Sequence, residues 1–480
     1  MNILYVTSEA VPFCKTGGLA DVAGSLPQSL AANGDRVSVI LPLYQSVADA
    51  WRDRLHFERY TYVRLAWRSL YCGLFSYERQ GVTWYFVDNE QYFKRPELYG
   101  YYDDGERFAF FCRAVTELLP LLPEKPDVVH CNDWQTALVP IYIHDEAVRE
   151  EFYKSVRTVI TVHNIEYQGR YGRETVEDLF GLDAGWFTGG TLAFDGDVNL
   201  LKGAIVTADA VTAVSPTYAQ ELKYAYFAHG LESVMQMVEG KLHGVLNGID
   251  MERYDPASDP NLTANYSLRR MAGKAKDKAA LQRMMGLAER KDTPVVAMVS
   301  RLVSHKGLDL VCETLDYFME KDMQLVVLGK GDGKYESFFS WAQAKYPGRV
   351  AVHLGYSESL AMQIYAGADL FLMPSKSEPC GLSQMIAMRY GAVPIVRQTG
   401  GLADTVRSCQ MGQEDGNGFV FANYSAFDMQ YVISQAVELY RSDLHGFRRV
   451  QRCGMTDDFS WNVSAGAYEA LYENITDTSR

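Results

Sequence analysis

The sequence predicts an α/β protein built from two doubly wound halves. Short apolar runs recur along the chain, and each is followed by a polar or glycine-rich loop and then by a stretch of helix-forming composition, which is the pattern of parallel βαβ units. The chain has 480 residues, more than one ordinary hydrophobic core organises. A Pro- and Asp-rich stretch at 255–265, typical of a linker, separates the two sets of units.

The first half opens with a βαβ unit. A β-rich run at 2–7 is followed by helical composition over 20–33, a stop at Gly34 and a second strand at 36–41. Further strands are predicted at 82–87, 127–131, 156–162 and 208–214, a helix at 105–119, and a hairpin-like insertion within 51–102. We expect residues 132–134, directly after one of these strands, to begin the next helix.

The second half repeats the alternation. Its strands are predicted at 295–299, 324–328, 350–354, 369–373 and 393–396, with helices at 307–320 and 385–390 and an amphipathic C-terminal helix at 460–474. The predicted domains are residues 1–244, residues 245–457, and a C-terminal segment, 458–480.

Composition excludes several classes of function. The net charge of −14 disfavours a general role on nucleic acids or anionic membranes. The eight cysteines are scattered without a C-x-x-C pair, which argues for reduced thiols in a cytoplasmic setting and against a zinc knuckle. The N-terminus carries charges where a signal peptide would be apolar, and no apolar run is long enough to span a membrane.

Candidate binding residues cluster in loops that follow strands. In parallel open sheets ligands bind outside the carboxyl ends of strands, so two such sheets facing each other would line one deep cleft with these loops. Gly17 and Gly18, next to Lys15, suit a phosphate because bare backbone N–H groups and a point charge attract anions. In the second half Arg301 and Lys306 flank one such turn, which suits a diphosphate whose charge grows as it leaves.

The stretch 374–384, P-S-K-S-E-P-C-G-L-S-Q, is the most suggestive of these loops. Its Glu378 suits vicinal hydroxyls of a sugar or ribose better than it suits a diphosphate. Pro379 fits the first turn of a helix, and Gly381 would let a ligand approach the backbone closely. A further helix entrance at Thr399-Gly400-Gly401 also suits phosphate.

Plainer interpretations stay open at this point. Arg301 or Lys306 alone is equally typical of a solvated surface charge, and His163 at a strand end is commonly a structural hydrogen-bonding residue. A dinucleotide-binding dehydrogenase shares the predicted fold, but its G-x-G-x-x-G fingerprint fails because Lys334 stands where the third glycine belongs. No G-x-S-x-G elbow and no H-x-x-x-H spacing is present.

Six motifs, in this order, resemble those of bacterial glycogen synthases and the similar plant starch synthases. They are K-T-G-G-L (15–19), T-V-H-N-I-E-Y-Q-G (161–169), V-L-N-G-I-D (245–250), S-R-L-V-S-H-K-G (300–307), the 374–384 stretch and T-G-G-L-A-D-T-V (399–406). The resemblance covers essentially the whole chain. It implies the GT-B architecture of two Rossmann-like domains facing across a deep cleft, with a C-terminal helix crossing back to the first domain.

The resemblance also implies an activity and a set of site residues. The activity is transfer of glucose from ADP-glucose to the non-reducing end of an α-1,4-glucan (glycogen), with retention of configuration and with no metal or other cofactor. The implied catalytic residues are His163 at the transferred glucose, Arg301 and Lys306 at the diphosphate, and Glu378 at sugar hydroxyls. The implied binding residues are Lys15, Gly17, Gly18, Asp21, Asn247, Tyr356, Cys380, Gly381, Leu382, Thr399, Gly400 and Gly401.

One departure from the wider retaining superfamily removes a candidate carboxylate. That superfamily often carries a second Glu eight residues after the first, and here the position is Ile386. Retention through a covalent nucleophile and retention by a same-face path both stay open. A glycan-binding protein without turnover and a UDP-glucose-dependent transferase are the competing hypotheses.

Overall fold

The computed structural model describes residues 1–409 and 415–477. The chain folds into two compact units, one made of Met1–Asn247 together with Trp461–Arg480 and the other of Gly248–Ser460. Within the described residues, no helix combines the length and the apolar character needed to cross a membrane. No disulfide joins any of the eight cysteines, all of which lie in the described part of the chain.

The first unit is organised around a large mixed sheet. The strands of this unit are β1 (Asn2–Val6), β2 (Arg36–Pro42), β3 (His56–Leu65), β4 (Arg68–Arg79), β5 (Val82–Asp88), β6 (Val128–Asn132), β7 (Arg157–Val162), β8 (Arg170–Tyr171), β9 (Ala193–Phe194), β10 (Asp197–Asn199), β11 (Ala210–Ala213) and β12 (Leu242–Gly244). The sheet order is β12-β11-β7-β6-β1-β2-β5-β4-β3, and β8, β10 and β9 form a small separate sheet. Strands from β12 to β5 pair in parallel, whereas β4 and β3 add an antiparallel hairpin at one edge.

Helices pack on this sheet because their apolar faces need a partner and the parallel strands are buried on both sides. The helices of this unit, not all of which touch the sheet, are α1 (Gly18–Ala32), α2 (Gln45–Trp51), α3 (Glu90–Phe93), α4 (Asp104–Leu118), α5 (Leu138–Ala147), α6 (Glu151–Lys154), α7 (Thr175–Asp178), α8 (Gly185–Thr188), α9 (Leu200–Thr207), α10 (Pro216–Glu221), α11 (Ala225–Ala228) and α12 (Glu232–Met237). Asn199 caps α9 and Ser215 caps α10 through their side-chain oxygens.

The second unit has a parallel sheet with the strand order of a dinucleotide-binding fold. Its strands are β13 (Val295–Val299), β14 (Gln324–Gly329), β15 (Val350–Leu354), β16 (Leu370–Met373), β17 (Val393–Arg397) and β18 (Phe419–Phe421). The spatial order is β15-β14-β13-β16-β17-β18. From β13 the chain adds strands towards one edge of the sheet, and from β16 it adds them towards the other, so the strand order reverses between β13 and β16. That point of reversal is where such folds bind ligands, because the loops after the two strands diverge there.

The helices of the second unit cover both faces of this sheet. They are α13 (Ala272–Met284), α14 (Leu308–Glu320), α15 (Gly333–Lys345), α16 (Glu358–Gly367), α17 (Ser383–Arg389), α18 (Gly400–Thr405), α19 (Ala426–Ser442) and α20 (Leu444–Thr456). The last helix, α21 (Trp461–Thr476), belongs to the first unit. There it packs against α1 and contributes the buried Tyr468 and Tyr472 to the core.

The predicted strands and long helices are confirmed, with ends that differ by a residue or two. Two local predictions are wrong. Pro379 is not in the first turn of a helix, because α17 begins at Ser383 and Pro379 lies in the preceding loop. Residues 132–134 do not begin an α-helix, because a short 3₁₀ turn (Trp134–Thr136) intervenes and α5 begins at Leu138.

Candidate active site

In the second unit, the partly buried Lys306 and the buried Glu378 form an ion pair at the point where the strand order reverses. Lys306 ends the turn after β13 and Glu378 lies in the loop after β16, and these two strands are parallel neighbours. The Lys306 ammonium donates to both carboxylate oxygens of Glu378, at 2.9 and 2.7 Å, and Ser375 Oγ donates to one of them at 2.8 Å. Because Glu378 is only 6% exposed, its charge depends on these partners.

Burial and ion pairing shift the pKa of Glu378 in opposite directions. Burial alone would raise the pKa of this carboxyl, but the charge and hydrogen bonds of Lys306 and the hydroxyl of Ser375 outweigh it, and the pKa lies below its ordinary value. Glu378 is therefore ionised at neutral pH. The pair can present one ammonium donor and carboxylate lone pairs to a ligand, with little net charge between them.

The two loops that carry this pair are locked together. Gly307 adopts φ +73°, and a Cβ at this position would collide with the carbonyl of Pro374. The Lys376 N–H donates to the carbonyl of His305 at 2.8 Å. Glycine at 307 therefore lets the two loops approach closely, and that approach brings Lys306 to Glu378.

The glycines at the start of α18 pack against the Glu378 loop. Gly400 has φ +44°, and a Cβ there would collide with the carbonyl oxygen of Glu378, while one at Gly401 would collide with that of Cys380. The Gly401 N–H donates to the carbonyls of Glu378 and Pro379, at 3.1 and 3.2 Å. These glycines, predicted from the sequence to serve a phosphate, also have a packing role, and the Gly401 N–H has partners within the chain.

The other predicted residues of this unit differ in exposure. Arg301 is exposed, and its carbonyl accepts from Ser300 Oγ at 3.2 Å. Its guanidinium makes no hydrogen bond or ion pair with the described residues and is available to an anion. Tyr356, after β15, is 75% exposed. Gly381 has φ +73°, Cys380 is buried and Leu382 is partly buried. Thr399 is buried at the N-terminal boundary of α18.

Gln384 and Ser375 support this loop and were not predicted from the sequence. Gln384 is buried, and its amide nitrogen donates to the carbonyls of Cys380 and Gly381, at 3.2 and 2.8 Å. Both residues lie inside the 374–384 stretch, but polar residues in a loop give no sequence signal that separates a supporting side chain from one that contacts a ligand.

In the first unit, Lys15 and Asp21 are brought together at the start of α1. The Lys15 ammonium donates to both Asp21 carboxylate oxygens at 2.7 Å. Lys15 lies on the K-T-G-G-L turn and Asp21 in the first turn of α1, and a Cβ at Gly18 would meet no atom of the described residues within 4 Å. The turn therefore offers an exposed cation beside a backbone that a ligand can approach.

Glu9, which was not predicted from the sequence, is buried and holds this turn through hydrogen bonds. It is 3% exposed, and its carboxylate accepts hydrogen bonds from the N–H and the hydroxyl of Thr16, both at 2.6 Å, and from the Gly17 N–H at 3.2 Å. Burial raises the pKa of Glu9 even though these hydrogen bonds favour the carboxylate.

His163, directly after β7, is held by Asn132, the last residue of β6, and by Asp133, which follows it. Its Nε2 lies 2.9 Å from Asn132 Oδ1, and its backbone N–H donates to Asp133 Oδ1 at 2.7 Å. Burial lowers the pKa of His163 to about 3 and raises the pKa of Asp133 to about 7. Asp133 also has φ +56° and ψ −176°, a conformation that non-glycine residues rarely adopt and that concentrates at functional sites.

Asn247 ends the first unit's main segment. It is 5% exposed, and its Oδ1 has no hydrogen-bond partner among the described residues, although a buried carbonyl normally has one. An unsatisfied buried acceptor of this kind is suited to a hydroxyl donor from a ligand.

The structure thus sorts the predicted residues into two groups. Lys15, Gly17, Gly18 and Asp21 share one turn of the first unit, with His163 at the end of a strand two positions away in the same sheet. In the second unit, Cys380 to Leu382 share the loop of Glu378, and Gly400 and Gly401 pack against it. Arg301 follows β13 and Tyr356 follows β15, whereas Asn247 belongs to the first unit. No cluster of His, Cys, Asp and Glu in residues 1–409 and 415–477 is arranged to hold a metal ion.

Comparisons with known proteins agree along the whole chain. Residues 2–237 match the family model of the starch synthase catalytic domain, and residues 284–445 match that of group 1 glycosyl transferases. A glycogen synthase from Geobacillus thermodenitrificans is 50% identical over 99% of this chain and 98% of its own, and one from Bacillus cereus is 46% identical over 99% and 100%.

Solved structures give the same relationship. The catalytic domain of starch synthase IV from Arabidopsis thaliana, bound to ADP and acarbose, is 35% identical, with a TM-score of 0.90 over 99% of both chains. A sucrose-phosphate synthase from Thermosynechococcus elongatus, at 16% identity and a TM-score of 0.62 over 100% of both chains, shares the fold. Sequence identity of this extent over nearly full length establishes the relationship: this chain is a glycosyltransferase of GT-B fold and belongs to the glycogen and starch synthase family.

Proposed function

We propose that this protein is a glycogen synthase that transfers glucose from ADP-glucose to the non-reducing end of an α-1,4-glucan, with retention of the anomeric configuration. The observation that carries the proposal is the full-length relationship to glycogen synthases at 46–50% identity. The ADP and acarbose bound to the related starch synthase IV add support for an adenine nucleotide donor and a glucan acceptor. We place the reaction in the cytoplasm.

In this proposal the domains predicted from the sequence divide the substrates. Residues 1–244 serve the acceptor side and also contribute the Lys15 turn and His163 to the donor, residues 245–457 hold the nucleotide sugar, and the C-terminal segment 458–480 returns to the first domain. The parallel sheet of the second unit, with its reversal between β13 and β16, supports a nucleotide site there.

Departure of the diphosphate is the step that the second unit is equipped to assist. As the anomeric bond breaks, negative charge builds on the leaving phosphate, and a fixed cation gains more there than in the ground state. The cations for this role are Lys306 and Arg301, whose exposed guanidinium has no partner among the described residues. Glu378 orients Lys306 and can still accept a hydrogen bond from a sugar hydroxyl, because a carboxylate has about four lone-pair sites.

The other residues bind the rest of the donor. Lys15 and Asp21, with Gly17 and Gly18, contact the donor phosphate and sugar region, and Tyr356 lies near the base. The backbone of Cys380, Gly381 and Leu382 contacts sugar hydroxyls, and Thr399 to Gly401 contact phosphate. His163 and Asn247 face the transferred glucose. The buried Asn247 side-chain carbonyl, which has no partner among the described residues, supports this role.

The test compares donors. The enzyme is incubated with glycogen and either ADP-glucose or UDP-glucose, nucleotide release is measured, and NMR identifies the new glycosidic linkage. Faster turnover with ADP-glucose and an α-1,4 product are expected. Equal or faster turnover with UDP-glucose would contradict ADP-glucose as the donor. Glycogen binding without nucleotide release would show that the chain is a glycan-binding protein. Activity should survive EDTA, because cations and helix N-termini replace a metal at the diphosphate.

A further inference from the structure

A buried hydrogen-bond network behind His163 determines which of its ring nitrogens carries the proton. Asn132, at the end of β6, is fully buried, and its Oδ1 lies 2.9 Å from His163 Nε2. The same oxygen accepts the phenol hydroxyl of Tyr5, also fully buried, at 2.8 Å. Tyr5 in β1 and His163 after β7 therefore both contact the same side-chain oxygen of Asn132, on the strand β6 that lies between β1 and β7.

The orientation of the Asn132 amide follows from its other contact. Its Nδ2 lies 2.9 Å from the carbonyl oxygen of Val6. A carbonyl can only accept, so the NH₂ group must face Val6, and Oδ1 must face Tyr5 and His163. The reversed amide would place two acceptors together at Val6 and leave the Val6 carbonyl without its donor in a fully buried position.

An acceptor at this place fixes the tautomer of His163. Since Asn132 Oδ1 can only accept, the hydrogen between the two residues must belong to His163 Nε2. The ring is neutral at working pH, because burial lowers its pKa to about 3. Nδ1 then carries a lone pair, and it has no partner among the described residues.

We infer that Asn132, oriented by Tyr5 and Val6, is a positioning residue that holds His163 as the Nε2–H tautomer, so that Nδ1 accepts a hydrogen bond from a hydroxyl of the transferred sugar. The part that concerns the sugar rests on the proposed function. The tautomer itself rests only on the geometry within the first unit. Asp133 supports the same arrangement, because its carboxylate fixes the backbone N–H of His163 at 2.7 Å.

The first experiment reads the tautomer directly, without substrate. Histidine selectively labelled with ¹⁵N gives distinct ring-nitrogen shifts for the two tautomers, and the signals of His163 are assigned by their loss in His163→Gln. A single Nε2–H tautomer that persists from neutral pH down to about pH 5 is expected. A Nδ1–H tautomer, or an averaged mixture, in the wild-type protein would overturn the assignment whatever the activity is.

The second experiment asks whether Asn132 acts through His163. Asn132→Ala should lower kcat by about 10²-fold, the typical cost of a small misplacement at a reacting centre. Placed on top of His163→Ala, the same substitution should change kcat by no more than about twofold, because the group that it positions is already absent. A merely structural role predicts the full loss in both backgrounds, and that result would refute the proposal.

If Asn132→Ala does not fold, Tyr5→Phe replaces it in the same experiment. It removes one hydrogen bond from Asn132 and should lower kcat by about fivefold in the wild type and not in His163→Ala. Tyr153→Phe is the matched control, because this buried tyrosine of the same unit donates to the Thr116 carbonyl at 3.1 Å, away from the site. If the tautomer is as expected but no glucose is transferred from any donor, the proposed function fails and the assignment of the tautomer stands.

Discussion

At the scale of single residues, Lys306 has two tasks that mutation can separate. It neutralises the buried Glu378, and in the proposed reaction it neutralises the leaving diphosphate. Lys306→Ala should lower kcat on the order of 10²–10³-fold, as for other preorganised contacts to developing charge. It should also lower the free energy of unfolding by about 3–5 kcal/mol, because a buried carboxylate loses its partner.

The double variant Lys306→Ala/Glu378→Gln distinguishes the two tasks. Removing the orphaned charge should restore most of the free energy of unfolding, measured by urea denaturation, while kcat stays low. Near-wild-type turnover in a folded Lys306→Ala protein would mean that Lys306 is only structural. A double variant no more stable than the single one would show that the carboxylate is solvated in the absence of Lys306.

The buried His130 should make the free energy of unfolding depend on pH. This fully buried histidine contacts the hydroxyls of Tyr472 and Thr161, at 2.6 and 2.5 Å, and burial lowers its pKa to about 3 from an ordinary 6.5. Between these values the unfolded chain binds a proton that the folded chain does not. The free energy of unfolding therefore falls as pH drops below 6.5, by about 1.4 kcal/mol per pH unit for this one group.

Urea denaturation between pH 7 and pH 4 measures this slope. His130→Gln should reduce the slope by about 1.4 kcal/mol per pH unit. Tyr472→Phe, which keeps the buried imidazole, should lower stability by about 1 kcal/mol and keep the slope. Asp133 acts in the opposite sense, because its raised pKa of about 7 makes stability fall as pH rises from about 4 to 7. An unchanged slope in His130→Gln would mean that His130 already binds a proton in the folded state.

At the scale of elements, α18 depends on Gly400 to pack against the Glu378 loop. Gly400→Ala combines a left-handed φ of +44° with a collision against the Glu378 carbonyl. We expect a loss of about 2–4 kcal/mol in the free energy of unfolding. A lower kcat should follow, since the loop that holds Glu378 and Lys306 together must move.

Gly333→Ala is the matched control in the same unit. Gly333 begins α15, and a Cβ there would meet no atom of residues 1–409 and 415–477 within 4 Å. Its replacement should change stability by less than about 1 kcal/mol and leave kcat unaltered. Similar behaviour of the two variants, followed by thermal denaturation and by turnover, would contradict the packing role of Gly400.

At the scale of the whole molecule, the chain leaves the first unit after Asn247 and returns to it at Trp461. The returning helix α21 packs on α1, places the Tyr472 hydroxyl on His130, and donates from Ser464 Oγ to the Leu246 carbonyl at 2.6 Å. A chain that ends at Ser460 would therefore expose part of the core of the first unit while leaving the second unit's own core complete.

Hydrogen exchange can localise this effect. In the protein truncated after Ser460, amides of β1, β6 and α1 should exchange faster, whereas those of β13, β14 and β16 should retain their protection. Equal loss of amide protection in both units would mean that they unfold cooperatively. Unchanged exchange in β1 and α1 would show that α21 adds little to the first unit.

The sequence by itself determined the architecture of this protein. Buried parallel strands are continuous apolar runs and their loops carry glycine and polar residues, so the order of βαβ units and the edge at which ligands bind could be predicted from local composition. The six motifs, among them the one that holds Glu378, determined the family because each lies at the end of a strand or in the loop and helix start that follow it, and all occur in one order. These are properties of short segments, which a linear pattern records.

Only the tertiary structure decided which side chains meet. Lys306 and Glu378 pair because β13 and β16, which are distant in the chain, are neighbours in the sheet, and Gly400 is required by a loop that precedes it by about twenty residues. Glu9, Asn132 and Asp133 escaped prediction because an ordinary polar residue after a strand has no distinctive spacing. Their importance comes from burial and from hydrogen bonds across separate strands, and both exist only after the chain has folded.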